Sequence, residues 1–363
     1  MESRASATSA DSDGRSRFIQ RNDKVPCRVP SKHQHAVASP RLSLLAGFST
    51  PNPIRVVNKP QPQETHEPVL AQDLAQSVVT DANGIYVDAT FGRGGHSKAI
   101  LEQLSETARL IGIDRDTDAV HSAITLEQRD SRFKFVNSRF SELRNVLDSM
   151  NIGSIDGICF DVGVSTPQLK NAERGFAFDL DGPLDMRMAQ ETGSPASDWI
   201  NKASVEDLTQ VLKLYGDVRS ARSIARQIVS RRPLETTFDL VNAIRAATPS
   251  GATSAKVLSQ VFQAVRIFVN DELNELKAGL SEGFDALAIG GRLAVISFHS
   301  IEHRLVRDAI RQWIRPSAPR GLPVRDEAPR ARVVLKNVRP QYLEQRSNPA
   351  SRSAMLQTTE KLR

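Results

Sequence analysis

Four short apolar runs between residues 85 and 163 restrict the fold more than any other feature of this chain. "IYVDATF" (85–91) leads into the helix-like "HSKAILEQL", and "RLIGIDRD" (109–116) into "TDAVHSAITLEQ". "FKFVNSRF" (133–140) leads into "SELRNVLDSM", and "IDGICFDVG" (155–163) follows. Strands that alternate with helix-length segments predict a parallel sheet wrapped by helices, an α/β fold with a Rossmann-like sheet. The alternation then stops. Residues 167–265 read as helices and loops, with "VEDLTQVLKLYG", "RSARSIARQIVSRR" and "TFDLVNAIRAAT" as the helical pieces. One long helix is expected in "FQAVRIFVNDELNELKAGLSEGFDAL" (262–287), after which "GGRLAVISF" (290–298) returns to a strand. The boundaries drawn on this pattern are 64–166 and 266–363 for the two parts of an α/β domain, the second ending in a basic C-terminal tail. Residues 167–265 form an inserted all-helical domain.

Residues 1–63 differ from the rest. They are rich in Ser, Arg, Pro and Asn with no sustained apolar period, which predicts a disordered extension. They hold ten basic and four acidic residues and so carry the whole net charge of +6. The remainder is neutral, so a nucleic-acid surface on the folded part must come from local clustering. Arg and Ser in the extension suit a targeting peptide, while Glu2, Asp11 and Asp13 argue against one. No run approaches the roughly 18–20 apolar residues of a membrane helix. Cys27 and Cys159 lie far apart, which disfavours a disulfide framework and fits a reducing compartment.

The first strand runs into a glycine turn, "YVDATFGRGGHSKAIL" (86–101). Asp88 ends the strand; Gly92, Gly94 and Gly95 let the backbone adopt positive φ and approach a ligand. The helix that follows favours a negative group at its start. Three nucleotides compete. A P-loop would need Gly before Lys98, where Ser97 stands, and a dinucleotide loop would need Gly at Ser97. S-adenosylmethionine is held by a looser turn of the same kind. An acid at the end of the second strand should bind ribose hydroxyls, and Asp114 occupies that place for S-adenosylmethionine and NAD alike. Asp161 ends the fourth strand, where open α/β sheets place ligands, and can accept a hydrogen bond from an amino group.

With these stand "ERGFAFDLDGPLDMRM" (173–188), "FQAVRIFVNDELNEL", "GGRLAVISFHSIEHRLV" and "NPASRSAML" (348–356), in this order. Together, from about His66 to the C-terminus, they resemble the bacterial 16S ribosomal RNA cytosine-N4 methyltransferases, the MraW-type family with mitochondrial relatives. The resemblance implies a class I S-adenosylmethionine-dependent methyltransferase fold interrupted by a helical domain. It implies methyl transfer to N4 of a cytidine in the decoding centre of the small-subunit rRNA, its partner. By motif it implies cofactor contacts at Gly94, Gly95, His96, Asp114, Phe140, Asp161 and Gln168. Localisation is then cytoplasmic, or the mitochondrial matrix; whether the chain pairs as a homodimer is left open. The sequence departs from the family pattern at Gln260, Ala350 and Gln357, where the family carries basic residues, and at His303, where it carries an acid.

Methyl transfer from a sulfonium is an in-line displacement that asks mainly for positioning. Asp161 is the candidate catalytic group, orienting the acceptor amine and assisting loss of its proton. His66, His96, His121, His299 and His303 are scattered without ligand spacing, and no metal or membrane is expected. His299, in "SFHS", either faces the target base or caps a helix, and capping is favoured. RNA contacts are expected from the Arg304–Arg339 stretch and from Arg219, Arg222, Arg226, Arg231 and Arg232. Arg174, Asp181, Asp185 and Arg187 belong to a candidate lid over a flipped base. The competing readings are a catalytically weak RNA-binding assembly factor and a nicotinamide oxidoreductase.

Overall fold

The computed structural model describes residues 68–247, 254–315 and 328–363; the expected disordered extension over residues 1–63 lies outside them, as do Cys27 and His66. A seven-stranded sheet in the order β3-β2-β1-β4-β5-β7-β6 organises the chain. Its parallel strands are β1 (Ile85–Asp88), β2 (Arg109–Asp114), β3 (Phe133–Asn137), β4 (Ile155–Asp161) and β5 (Leu287–Ser297). Parallel pairing sets the carboxyl ends of all five along one edge, with Asp88 opposite Cys159 and Asp161 opposite Ile296. The strand order reverses between β1 and β4, which opens a crevice at their carboxyl ends. Asp88 and Asp161 end those two strands.

Residues 331–361, read from the sequence as part of a basic tail, instead complete the sheet. β6 (Ala331–Val338) forms its outer edge, and β7 (Met355–Lys361) inserts antiparallel between β5 and β6. β7 reads as polar, yet Gln357, Thr358, Thr359 and Glu360 are buried. Partners compensate two of them: Thr358 meets the Ser77 hydroxyl at 2.9 Å, and Glu360 takes Arg292 at 3.1 Å and Arg332 at 2.7 Å.

Helices cover both faces, because side chains alternate across each strand. Tyr86, Leu110, Cys159 and Ile296 pack with α1 (Ala71–Val78), α2 (Gly95–Leu101) and α3 (Asp118–Arg129). Val87, Ile111, Ile158 and Val295 pack on the other face. There they meet α4 (Leu143–Ser149), α11 (Glu272–Ala286) and α12 (Ser300–Ile314). The short α5 (Thr166–Lys170) follows β4 and is closed by a capping box between Ser165 and Gln168. A third core, with Ile200, Leu212, Ile228, Leu240 and Val261, belongs to helices before β5. These are α6 (Ala196–Lys202), α7 (Val205–Gly216), α8 (Ala221–Ser230), α9 (Thr237–Ala246) and α10 (Ala255–Asn270). α13 (Tyr342–Ser347) links β6 to β7.

The single long helix expected over 262–287 is two helices. Asp271 adopts φ 50°, closing α10 and opening α11. The break frees the Asn270 side chain to accept from Met188 N at 2.8 Å and donate to the Met186 carbonyl at 2.7 Å. These bonds fasten the 174–188 segment to the helix junction.

Candidate active site

The glycine turn after β1 is built around Asp88, 1% exposed, which accepts from the Ser97 hydroxyl at 2.7 Å and Thr90 N at 3.2 Å. Gly92 and Gly94 take φ of +53° and +74°, and a Cβ on Gly94 would lie 2.7 Å from the Phe91 ring. Gly94 and Gly95 therefore start α2 with the backbone pressed against Phe91 and Pro68. The first amides of any helix lack intrahelical acceptors.

Two carboxylates flank this turn. Asp114, at the end of β2, accepts from Gly92 N at 2.7 Å and from Asp116 N at 2.9 Å. Each oxygen keeps a lone pair for a further donor. Burial pushes its carboxyl up to about 6, against the pull of those two amides; nearby Asp116 and Asp88 add to the rise. Asp161, at the end of β4, is anchored by its own amide, which donates to Thr90 Oγ1 at 2.6 Å. Its Oδ1 is buried without a partner among the described residues, while the side chain as a whole keeps 28% of its surface. Burial lifts it to about 6 as well; the His96 ring opposes the rise, and Asp88 and Glu302 reinforce it.

His96 is turned inward. Its Nε2 lies 2.9 Å from the Val69 carbonyl and its Nδ1 3.6 Å from Asp161 Oδ2. The imidazole thus links the chain before α1 to the β4 carboxylate and shapes the turn. Gln168 is 6% exposed: Oε1 accepts from Ser165 N at 2.8 Å and Nε2 donates to Asp116 Oδ2 at 2.5 Å. One amide hydrogen remains for a ligand. Phe140 lies beyond β3, edge-on to Phe160 at 5.6 Å, and packs where Gly279 of α11 leaves room. The structure thus sets Gly94, Gly95, Asp114, Asp161 and Gln168 around the crevice, with Phe140 at its β3 side.

Several other residues stand elsewhere than expected. Arg174 is not on a lid surface: it is 2% exposed and held by Asp116 and Asp118. Asp185 and Arg187 pair with each other at 2.7 Å, which holds the Asp185 carboxyl below its ordinary range despite its burial. Gly175 and Gly182 sit where a Cβ would strike the carbonyls of Pro183 and Ala172. These contacts pack the segment against its surroundings as a wall. His299 caps α12 in a box with Glu302, as the capping alternative has it. His303 meets Ser297 Oγ at 2.6 Å, and burial lowers its imidazole. Arg232 turns inward to the Ala203 carbonyl, whereas Arg219 just before α8 and Arg222 and Arg226 on it are exposed. Gln260 donates to the Asp217 carbonyl at 3.3 Å, and Gln357 is buried in β7. Those two departures from the family pattern therefore touch protein and give no support to a loss of RNA contacts.

The sequence reading missed the acidic pair after β2. Asp116 is 6% exposed and ties Gln168 to Arg174. Its signal was the "DRDTD" run beside a lone Arg that precedes a glycine.

No helix of the described residues is long and apolar enough to cross a membrane, and no group of His, Cys, Asp and Glu among them could hold a metal ion. Residues 63–362 match the MraW methylase family. The chain is 44% identical over 305 residues to the ribosomal RNA small subunit methyltransferase H of Chromohalobacter salexigens, covering 82% of this chain and 92% of that protein. The protein of that name from Methylobacillus flagellatus is 43% identical, over 82% of this chain and 94% of its own length. Among solved structures, an rRNA methylase from Streptococcus thermophilus is similar at a TM-score of 0.34 and 13% identity, covering 81% of this chain and 95% of that one.

Proposed function

The chain belongs to the MraW methylase family, and on that premise we propose that it methylates the exocyclic N4 of a cytidine in the decoding centre of small-subunit ribosomal RNA. It is an S-adenosylmethionine-dependent methyltransferase whose substrate class is small-subunit rRNA. The choice of base and atom is the proposal.

The observation that carries it is the pair of carboxylates, Asp114 and Asp161, set around a strained glycine turn at the point where the strand order reverses. The residues fit the cofactor. Gly94 and Gly95 admit it closely, Asp114 accepts from ribose hydroxyls, and Phe140 supplies an apolar face for adenine. Gln168 and His96 complete the wall. Bound S-adenosylmethionine supplies an electrophilic methyl group on a sulfonium.

The chain's own part is to orient the acceptor. The lone pair of a cytosine amine is delocalised into the ring, so an acceptor aimed at an N–H helps localise it. Asp161 Oδ1, buried with no protein donor among the described residues, is suited to take that hydrogen bond and then the proton. A carboxyl near 6 is ionised at neutral pH yet basic enough to share the proton in the transition state. The target base must be presented unpaired or flipped, and the 174–188 wall is placed to cover it. Exposed Arg222 and Arg226 on α8, with Arg219 just before it, offer a face for phosphates. The reaction belongs in the cytoplasm, with the mitochondrial matrix as the alternative.

The test is incubation with undermodified small subunits and methyl-labelled cofactor, followed by nucleoside analysis of the rRNA. N4-methylcytidine is the expected product. Cofactor binding without label in RNA would instead favour the assembly-factor reading, and label on another atom would correct the acceptor.

A further inference from the structure

One guanidinium sits where the cofactor side of the site meets the 174–188 wall. Arg174 Nη1 reaches Asp118 Oδ2 and lies 3.3 Å from Asp116 Oδ1, while Nη2 lies 3.1 Å from Asp116 Oδ2. Nη2 also donates to the carbonyls of Arg187 at 3.1 Å and Met188 at 3.0 Å. Asp116 Oδ2 is shared, because Gln168 Nε2 donates to it at 2.5 Å. The same loop carries Asp114, which accepts from Asp116 N. Beyond the wall, Met188 N donates to Asn270, and Arg115 reaches the Asn270 carbonyl at 3.0 Å. The β2 loop and the wall thus meet at one buried cation, with Gln168 of α5 one bond away through Asp116 and the α10–α11 junction one bond away through Met188.

We propose that Arg174 is a positioning residue for the cofactor site: by clamping Asp116 it fixes the Gln168 amide and the Asp114 loop. It also closes the wall against them, so that base-facing and cofactor-facing parts form one unit. The inference rests on the cofactor assignment of Asp114 and Gln168 made above. Its physical basis is geometry. A planar fork takes both oxygens of Asp116 from two nitrogens while also reaching two carbonyls, a geometry that the single nitrogen of an ammonium does not reproduce. Without it, Asp116 is a buried carboxylate facing another at Asp118, and the Gln168 amide loses its reference.

Calorimetric titration of the full chain with S-adenosylhomocysteine tests this. Arg174→Lys keeps a buried cation, and its folding is checked by circular dichroism. It should weaken binding about tenfold and raise KM for S-adenosylmethionine far more than it lowers kcat, as loss of uniform binding does. Gln168→Ala should weaken binding too, and the double variant should bind no worse than the weaker single one. Arg132→Met breaks a comparable ion pair at the amino end of β3 and should leave the affinity unchanged. A folded Arg174→Lys with wild-type affinity, additive losses with Gln168→Ala, or an equal loss in Arg132→Met would each overturn the role. Failure of the wild-type chain to bind S-adenosylhomocysteine would instead sink the cofactor assignment itself.

Discussion

Asp161, the acceptor in the proposed mechanism, is held at the expense of the fold. Its folded carboxyl sits at about 6, above the ordinary 3.8, because it is buried with one oxygen unpaired. A raised carboxyl contributes stability that is fully present below pH 4 and is lost as the pH rises through 6. At pH 8 the folded chain must hold it ionised, at a cost of roughly 1–3 kcal/mol; the open side of the group argues for the lower part of that range. Asp161→Asn should therefore unfold at higher urea than wild type at pH 8, and the gain should shrink as pH falls through 6 toward 4. The same variant should lose activity by roughly 10²–10⁴, since the amide cannot take a proton. Equal urea midpoints at pH 8 would show that the burial is not felt. Wild-type kcat/KM should rise through pH 6 and level off above 7, because Asp114 and Asp161 both act ionised and both sit near 6. A profile flat between pH 5 and 8 would contradict both assignments.

Elements carry two further expectations. The turn between β1 and α2 depends on a left-handed Gly94 pressed on Phe91. Gly94→Ala adds backbone strain and a Cβ 2.7 Å from the ring, together costing roughly 2–4 kcal/mol of stability. Gly193 has a similar φ of +75° but nothing within 4 Å, so Gly193→Ala should cost only about 1–2 kcal/mol from strain. Urea melts of the two variants compare them directly, and Gly94→Ala alone should lose S-adenosylhomocysteine binding. Arg219 just before α8 and Arg222 and Arg226 on it are exposed, and among the described residues only Arg222 of the three meets an acid, Glu206 at 3.5 Å. Replacing all three by Gln should flatten the dependence of log K for an rRNA fragment on log salt by about 2, at roughly 0.7–0.9 per phosphate contact. Cofactor affinity should not change. An unaltered slope would mean that the face is merely solvated.

At the scale of the whole molecule, what could be read from sequence was what local chemistry determines. The parallel strands announced themselves as apolar runs, and Asp114 and Asp161 as acids at strand ends. What escaped was long-range. β7 reads as polar because its burial is compensated by Ser77, Arg292 and Arg332, none of them near in sequence. The break at Asp271 uses no glycine or proline, so nothing local marks it. The ion pairs of Arg174, a candidate lid residue by sequence, could not be seen because its partners Asp116 and Asp118 lie 58 and 56 residues away. The parts that were legible still left NAD and S-adenosylmethionine open at Asp114, and the intact molecule can decide between them. A ligand that binds only the native state stabilises it by about 2.7 kcal/mol at 100 times its Kd. For a chain of this size that raises Tm by roughly 4–8 °C. The turn lacks the third glycine of a dinucleotide loop, which lets the helix pack closely on the strand; Ser97 stands in that position and is tied to Asp88. S-adenosylhomocysteine should therefore give the full shift and NAD none. A shift with NAD alone would move the chain out of methyl transfer whatever its relatives do.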